Sequence, residues 1–466
     1  MNHIMKFRKS IMLIVKIMLV LSITCVFVAG WQQSYEAALF SGKGNYVVVF
    51  SFLLILLVFN HLYGGLQIGV KRLHEVIYSF SLSMAFTNFI MYLELSLIAR
   101  VMLNPIPMII SAIAQFVIIY LGCNAANTIY FSIFNSRHIL AIVDSGNDQT
   151  HIVQKMNKIP ERYTIDKIVT IDTDVDEIIK MIDSYEAILI GNFEKSKQNQ
   201  ILRHCYAQKK RIYFLPSSND IIINNCWQTQ IFDTPILVCR NRGLTIEQAI
   251  IKRIFDVLVC GIGLIVASPV MLLIALGIKL YDHGPVFFKQ NRVTKDGKIF
   301  NVLKFRSMIV DADKVKLQKA TDNDDRITPV GKIIRPLRLD ELPQLINILK
   351  GDMSLVGPRP ERTENVYEYT TMLPEFNLRH RVKGGLTGYA QIYGKYNTSP
   401  QDKLNMDLIY IEQYSLLMDI KLLIMTVKIL FMRESTEGFS DEDSSIGTVA
   451  KQNKEANESN KENENE

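Results

Sequence analysis

Four apolar runs crowd the first 130 positions, and they limit the fold more than any other feature of the chain. Residues 11–30 (IMLIVKIMLVLSITCVFVAG) and 46–63 (YVVVFSFLLILLVFNHLY) are nearly free of charge, and 76–98 and 106–123 continue the pattern. A helix needs roughly 20 apolar residues to cross a bilayer, so each run predicts a span. Glu94 weakens the third run and Lys16 slightly weakens the first. A cleaved signal peptide is the alternative for the first, but no clean small-residue cleavage site follows it and further spans come after. Lys6, Arg8 and Lys9 precede the first run, Lys71 and Arg72 lie between the second and third, and Arg137 follows the fourth. The other connections hold only Lys43 and Arg100. Basic residues mark the cytosolic side, so four spans place the N-terminus and everything after residue 130 in the cytosol.

From residue 138 the pattern changes to HILAIVD, KIVTID, EAILIG and RIYFLP, short apolar runs separated by polar, helix-like stretches. That alternation predicts a doubly wound, Rossmann-like α/β module over 131–243. The first strand is followed by DSGNDQ, with one glycine and no GxGxxG. Close backbone approach to a pyrophosphate needs those glycines, so a structural or regulatory module is expected rather than a nucleotide site. The net charge of +6 suits a membrane-facing or phosphate-binding protein and does not argue for nucleic acid. The six cysteines contain no CxxC pair, so reduced thiols in the cytosol are expected rather than a disulfide framework or a zinc site. Residues 434–466 are rich in Glu, Asn, Lys and Ser and are expected to be disordered.

A fifth apolar stretch covers 254–280, with Lys252 and Arg253 at one end and Lys279 at the other. Basic residues at both ends place both on the cytosolic side. Ser268 and Pro269 fall near its middle. Proline removes a backbone donor and bends a helix, and the serine hydroxyl can bond a freed carbonyl. A helix that enters, bends and returns fits these features; a kinked helix that passes through is the alternative. The phosphate chemistry expected downstream favours the return, because activated nucleotide substrates are cytosolic.

The stretch RPLRLDELPQLINILKGDMSLVGPRP (335–360) sets two carboxylates, Asp340 and Glu341, side by side. Leu342, Leu345, Ile346 and Leu349 follow the spacing of a helix that buries one face, and Pro343 belongs in its first turn. The pair therefore sits near a helix start. An Asp cap with a dipole-facing Glu is the bland explanation. Arg335, Arg338, Arg359 and Arg362 surround the pair, and guanidiniums at a helix start suit phosphate. One carboxylate can then attack phosphorus while the other holds Mg²⁺. Glycoside hydrolysis also uses two carboxylates, but they flank the sugar about 5 Å or more apart.

The motifs KRIFDV (252–257), Ser268-Pro269, KFRSM (304–308), LDELPQLINILKGDMSLVGPRP (339–360) and GLTGYAQIYGK (385–395) resemble the bacterial polyprenyl-phosphate phosphoglycosyl transferases of the monotopic superfamily. These enzymes begin capsule, exopolysaccharide and O-antigen synthesis. The resemblance covers about residues 250–432, and the N-terminal spans and α/β module are similar to the large form. It implies a catalytic domain over 244–433 with a re-entrant membrane helix broken at Ser268 and Pro269. It implies that Asp340 is the nucleophile, that Glu341 is its partner and the Mg²⁺ ligand, and that Lys304, Arg335 and Arg359 surround the substrate phosphates. Arg306, Arg338, Arg381 and Asp407 join the expected substrate set. A UDP-sugar would give its hexose-1-phosphate to undecaprenyl phosphate in the bacterial cell membrane, with the catalytic domain facing the cytoplasm. Membrane lipid is an expected partner, self-association is open, and nucleic acid is not expected. A non-catalytic membrane scaffold is the alternative. The chain departs from the family pattern at Thr294, where Gly is usual, and at Gly384, where Pro is usual. The stretch 416–433 reads either as an interfacial helix or as a packed core helix.

Overall fold

The computed structural model describes residues 2–35, 40, 42–134, 136–144, 147–239, 243–310, 326–394 and 398–430. The expected tail at 434–466 lies outside the described residues. The chain divides into two compact units, 1–224 and 225–466.

In the first unit, helices α1 (Asn2–Ser34), α2 (Gly44–Tyr63), α3 (Leu73–Ala99) and α4 (Ile106–Ile133) coincide with the four apolar runs. Their shared core includes Phe27, Trp31, Phe52, Phe80 and Met91. Outward faces stay apolar: Leu13, Phe50, Leu97 and Ile110 are exposed. Glu94, the residue that weakened the third run, is met by the Ser51 hydroxyl at 3.1 Å. Asn88 donates to Gln115 Oε1 at 2.6 Å, and Gln115 donates to the Ile23 carbonyl at 3.1 Å. Glu94, Asn88 and Gln115 thus find partners on neighbouring helices.

Residues 137–214 then form a parallel sheet of β1 (Arg137–Val143), β2 (Tyr163–Thr170), β3 (Ala187–Ile190) and β4 (Arg211–Phe214) in the order β2-β1-β3-β4. Leu140, Ile142, Ile188 and Ile190 pack with α6 (Val175–Ile182) and α7 (Lys195–Ala207). Ile139, Ala141, Val143, Ala187 and Leu189 pack with α5 (Asn147–Asn157). Alternate residues of the central strands therefore feed two cores, the reason those strands read as continuous apolar runs. Helix α8 (Ser218–Asn224) ends the unit.

The second unit opens with a hairpin, β5 (Trp227–Ile231) and β6 (Thr234–Val238). Trp227 pairs with Val238, so the residues just outside, Cys226 and Cys239, stand opposite with Cα atoms 4.4 Å apart and are disulfide-bonded. This corrects the expectation of reduced cysteines: thirteen positions separate the two in sequence, and only the hairpin register brings them together. Helix α9 (Ile246–Asp282) follows, started by a Thr245–Gln248 capping box. It stays helical across Pro269. The carbonyl that Pro269 cannot serve, that of Ile265, accepts the Ser268 hydroxyl at 2.7 Å. Five helices among the described residues, α1 to α4 and α9, are long and apolar enough to cross a membrane.

The rest of the unit is an antiparallel hairpin, β7 (Phe287–Val293) and β8 (Ile299–Phe305), with short helices α10 (Pro329–Ile334), α11 (Gln344–Lys350), α12 (Thr363–Met372), α13 (Tyr389–Tyr393), α14 (Pro400–Glu412) and α15 (Leu416–Leu430). A two-stranded parallel pair, β9 (Ser354–Val356) and β10 (Gly385–Thr387), sits at the centre. A Cβ on Gly385 would lie 2.1 Å from the Gly357 nitrogen, so only glycine permits this approach.

Candidate active site

The paired carboxylates occupy a single 3-10 turn, Leu339–Glu341, just ahead of α11. Arg338 enters it with φ of 52°, a left-handed conformation that is uncommon outside glycine. The turn faces β8. Asn347 of α11 acts as a substitute strand there: its Oδ1 accepts from the Leu303 nitrogen at 2.9 Å and its Nδ2 donates to the Asn301 carbonyl at 2.9 Å. That grip places the next residue, Lys304, against the turn.

Lys304 Nζ lies 2.7 Å from Glu341 Oε1, and Arg359 Nη2 lies 2.8 Å from the same oxygen. Burial opposes ionisation of Glu341, but Arg359 and Lys304 outweigh it and hold the carboxyl well below its ordinary range. Asp340 is pushed the other way, by burial first and by repulsion from Glu341, against the pull of Lys304 and Arg335. Neighbouring acids are thus driven apart: Glu341 is firmly ionised and Asp340 is the more basic. Arg335, whose charge acts on Asp340, keeps a buried Nη1 without a hydrogen-bond partner among the described residues.

Lys304, Arg335, Arg359, Asp340 and Glu341 therefore come together. Arg338 and Glu341 line an apolar cavity of about 250 Å³ whose walls include Leu337, Leu342, Leu345, Leu386, Ile392 and Leu423. The remaining expected residues have other partners. Arg306 is engaged by both oxygens of Asp282 at the end of α9. Arg381 lies 3.5 Å from Glu412. Asp407 is buried against Arg379 at 2.8 Å, and Arg379 Nη2 also donates to the Arg359 carbonyl at 2.9 Å, so Asp407 is linked to the site through the Arg379 side chain and the Arg359 backbone. Burial pushes the Asp407 carboxyl up to about 6 despite Arg379.

Among the described residues no three His, Cys, Asp or Glu side chains gather as a metal cage. The donors present still suit Mg²⁺, which takes one or two carboxylates and completes its shell with water and substrate phosphate. Both cationic contacts of Glu341 fall on Oε1.

A family described as bacterial sugar transferase matches residues 247–433. Over 183 residues the chain is 44% identical to the UDP-N-acetylgalactosamine-undecaprenyl-phosphate N-acetylgalactosaminephosphotransferase of Aeromonas hydrophila, a match covering 39% of this chain and 43% of that protein. Over 199 residues it is 42% identical to the UDP-glucose:undecaprenyl-phosphate glucose-1-phosphate transferase of Escherichia coli K12, covering 41% of this chain and 43% of the relative. Over 189 residues it is 39% identical to the uncharacterized sugar transferase EpsL of Bacillus subtilis, covering 40% of this chain and 91% of the relative. The chain belongs to the bacterial sugar transferases, the polyprenyl-phosphate phosphoglycosyl transferase family. It spans less than half the length of the first two relatives, and their names differ in the sugar.

Within this bacterial sugar transferase, the KRIFDV motif serves assembly. Lys252 lies 2.5 Å from Asp419 of α15, which also accepts the Tyr410 hydroxyl at 2.8 Å. Arg253 donates to the Ile348 and Leu349 carbonyls at 2.6 and 2.7 Å, closing the end of α11. Asp256 accepts from the Ser354 hydroxyl at 2.7 Å and the Leu355 nitrogen at 3.1 Å. Three charged side chains of α9 thus tie it to α15, to β9 and to the end of α11, the helix that follows the acid pair. Sequence reasoning missed Asp419, Tyr410 and Arg379, whose partners are remote along the chain.

Proposed function

We propose that the protein transfers a hexose-1-phosphate from a UDP-sugar to undecaprenyl phosphate through a covalent intermediate on Asp340. The observation that carries this reading is the split acid pair, with a basic Asp340 beside a Glu341 held ionised by Lys304 and Arg359. An Asp340 oxygen attacks the phosphorus that bears the sugar. The phosphorus–oxygen bond to the nucleotide breaks and UMP leaves with its electron pair. An oxygen of the lipid phosphate then attacks the same phosphorus, the aspartyl bond breaks, and Asp340 returns as a carboxylate. Arg335, Lys304 and Arg359 stabilise the phosphate charge. Mg²⁺, held at Glu341 beside Asp340, would supply further neutralisation of phosphate oxygens. The leucine-lined cavity beside Glu341 offers apolar surface for the isoprenoid end of the acceptor.

The reaction requires the site at a cytosolic membrane face. Four N-terminal spans with both ends in the cytosol and a re-entrant α9 meet that requirement, and the basic residues flanking each run support it. A helix of 37 residues rises about 55 Å if straight, well beyond the roughly 30 Å hydrocarbon core, so α9 must tilt, bend or emerge. The test supplies membranes holding the protein with undecaprenyl phosphate, Mg²⁺ and a panel of UDP-sugars. Release of UMP with at least one sugar, dependent on the lipid for turnover, is expected. No UMP from any sugar, with the protein folded, overturns the proposal.

A further inference from the structure

A second cavity adjoins the acid pair. It measures about 10 Å³ and is lined by Arg292, Val302, Lys304, Gln344, Arg359 and Pro360. That volume admits roughly one water-sized group. Three of the six lining side chains are cationic, and no carboxylate lines the cavity. Glu341, outside the lining, neutralises only part of this charge through Lys304 and Arg359.

Among the described residues Arg292 has no carboxylate in a salt bridge with it. Its Nε and Nη2 donate to Gln290 Oε1 at 3.1 and 2.7 Å, and its Nη1 donates to the Pro360 carbonyl at 2.9 Å. A guanidinium carries five N–H donors, so two remain without a partner among the described residues. The hairpin register places Gln290 opposite Val302 and Phe288 opposite Lys304, so Arg292 and Lys304 project from the same face. Burial and the nearby Arg359 lower the Arg292 guanidinium to about 10, which leaves it charged at neutral pH and crowded by like charge.

We propose that Arg292, Lys304, Arg359 and Gln344 form an oxyanion pocket that takes one non-bridging phosphoryl oxygen of the nucleoside diphosphate donor, with Arg292 as a substrate-contacting residue. The assignment rests on the transfer reaction proposed above. It gives Gln290 a role too, since its amide oxygen turns the guanidinium fork and leaves the spare N–H groups for the ligand.

The test measures binding of UDP with Mg²⁺, and of uridine as a control, to the full-length protein in nanodiscs. Hydrogen bonds to a charged group predict a loss of about 10- to 100-fold in UDP affinity for Arg292→Met. Uridine affinity and the thermal midpoint should not change. Arg292→Lys keeps the charge and should bind UDP more tightly than Arg292→Met. Gln344→Glu keeps the volume and places a carboxylate among the cations. It should raise the thermal midpoint while weakening UDP binding. Unchanged UDP affinity in Arg292→Met or in Gln344→Glu overturns the pocket. So does an Arg292→Lys protein as poor as Arg292→Met with a lowered midpoint, which makes Arg292 only a brace for Pro360. A wild-type protein that binds no UDP at all overturns the transfer reading instead.

Discussion

Replacing Lys252 by Met tests whether α9 is fastened to α15 by charge. The Lys252 side chain is 7% exposed and that of Asp419 is 0% exposed, so the substitution leaves a buried carboxylate without its cation. Burial already raises the Asp419 carboxyl with Lys252 in place. Breaking a buried pair costs about 3–5 kcal/mol. Protonation sets a ceiling: taking up a proton at pH 7 on a group with an ordinary value near 3.9 costs about 4 kcal/mol. The expected loss is therefore about 3–4 kcal/mol, or roughly 6–16 °C in midpoint for a unit of this size. The pH dependence has a definite sign. A folded-state value raised above the unfolded one gives stability that is full below pH 4 and is lost as pH rises. The deficit of Lys252→Met should thus shrink by up to about 1.4 kcal/mol per unit on going from pH 7 to pH 5. Lys252→Met with Asp419→Leu removes both charges, and Tyr410 keeps the Val356 carbonyl at 3.1 Å as an acceptor. That double change should cost under about 1.5 kcal/mol. Thermal melts of the full chain in detergent, followed by aromatic circular dichroism at several pH values, compare wild type, Lys252→Met, Asp419→Leu and the double variant. A deficit in Lys252→Met that is flat with pH, or single changes that simply add, would refute the argument.

Asp340→Asn should abolish formation of a sugar-phosphate adduct detectable by intact mass, whereas Glu341→Gln should be severely slowed and partly recovered at higher Mg²⁺. The acid limb of kcat/KM should lie above the ordinary carboxylate range, because Asp340 must be ionised to attack and burial raises it; removing the opposing cation in Lys304→Met should move that limb further up in the residual activity. Asp407, raised to about 6, should contribute stability at pH 4.5 that is lost by pH 7; the difference between wild type and Asp407→Asn across that window should change by about 2 kcal/mol in chemical unfolding. Single reporter cysteines at Ala249 and His283, in a protein lacking the native six, should both resist an impermeant thiol reagent in intact cells; labelling of His283 alone means that α9 crosses the bilayer.

Features set by local chemistry were legible in the sequence. The four N-terminal helices and the four parallel strands follow from the lengths of apolar runs, which depend on no distant residue. Asp340 and Glu341 were legible because their own helix start and flanking arginines lie within about twenty positions of them. Arg306, Arg381 and Asp407 are basic or acidic residues of the same kind, yet each is turned toward a different partner. Their partners Asp282, Glu412 and Arg379 sit 24 to 31 positions away on other elements, and composition cannot rank those distant acids and bases. Lys252 is the extreme case, since Asp419 lies 167 residues further on. The Cys226–Cys239 bond hid for a related reason: it depends on a hairpin register, and TQIFDT gives little turn signal beyond one Asp.

The two departures from the family pattern, Thr294 and Gly384, are one exchange. The buried Gly384 nitrogen donates to Thr294 Oγ1 at 3.0 Å, and that hydroxyl donates onward to the Asp352 carbonyl at 3.2 Å. A proline at 384 has no N–H to give, and a glycine at 294 has no hydroxyl to receive it, so the usual pair needs neither group. Here the extra donor and the extra acceptor satisfy each other. The surrounding loop keeps its own bonds, since the Ser354 nitrogen donates to the Gly384 carbonyl at 2.9 Å and the Val293 nitrogen to the Glu361 carbonyl at 3.0 Å. Thr294→Gly alone should therefore cost about 1–3 kcal/mol, the penalty of a buried N–H without an acceptor. Gly384→Pro alone adds strain, because a Cβ at 384 would lie 3.0 Å from Pro360 Cγ. Changing both removes the orphaned donor and should cost less than the sum, measured as thermal midpoints of the four proteins. Strict additivity would mean that the hydroxyl and the N–H do not depend on each other. Sub-additivity would mean that the loop behind Arg359 has one shape reached by two residue pairs, so that neither departure argues against the transfer reaction.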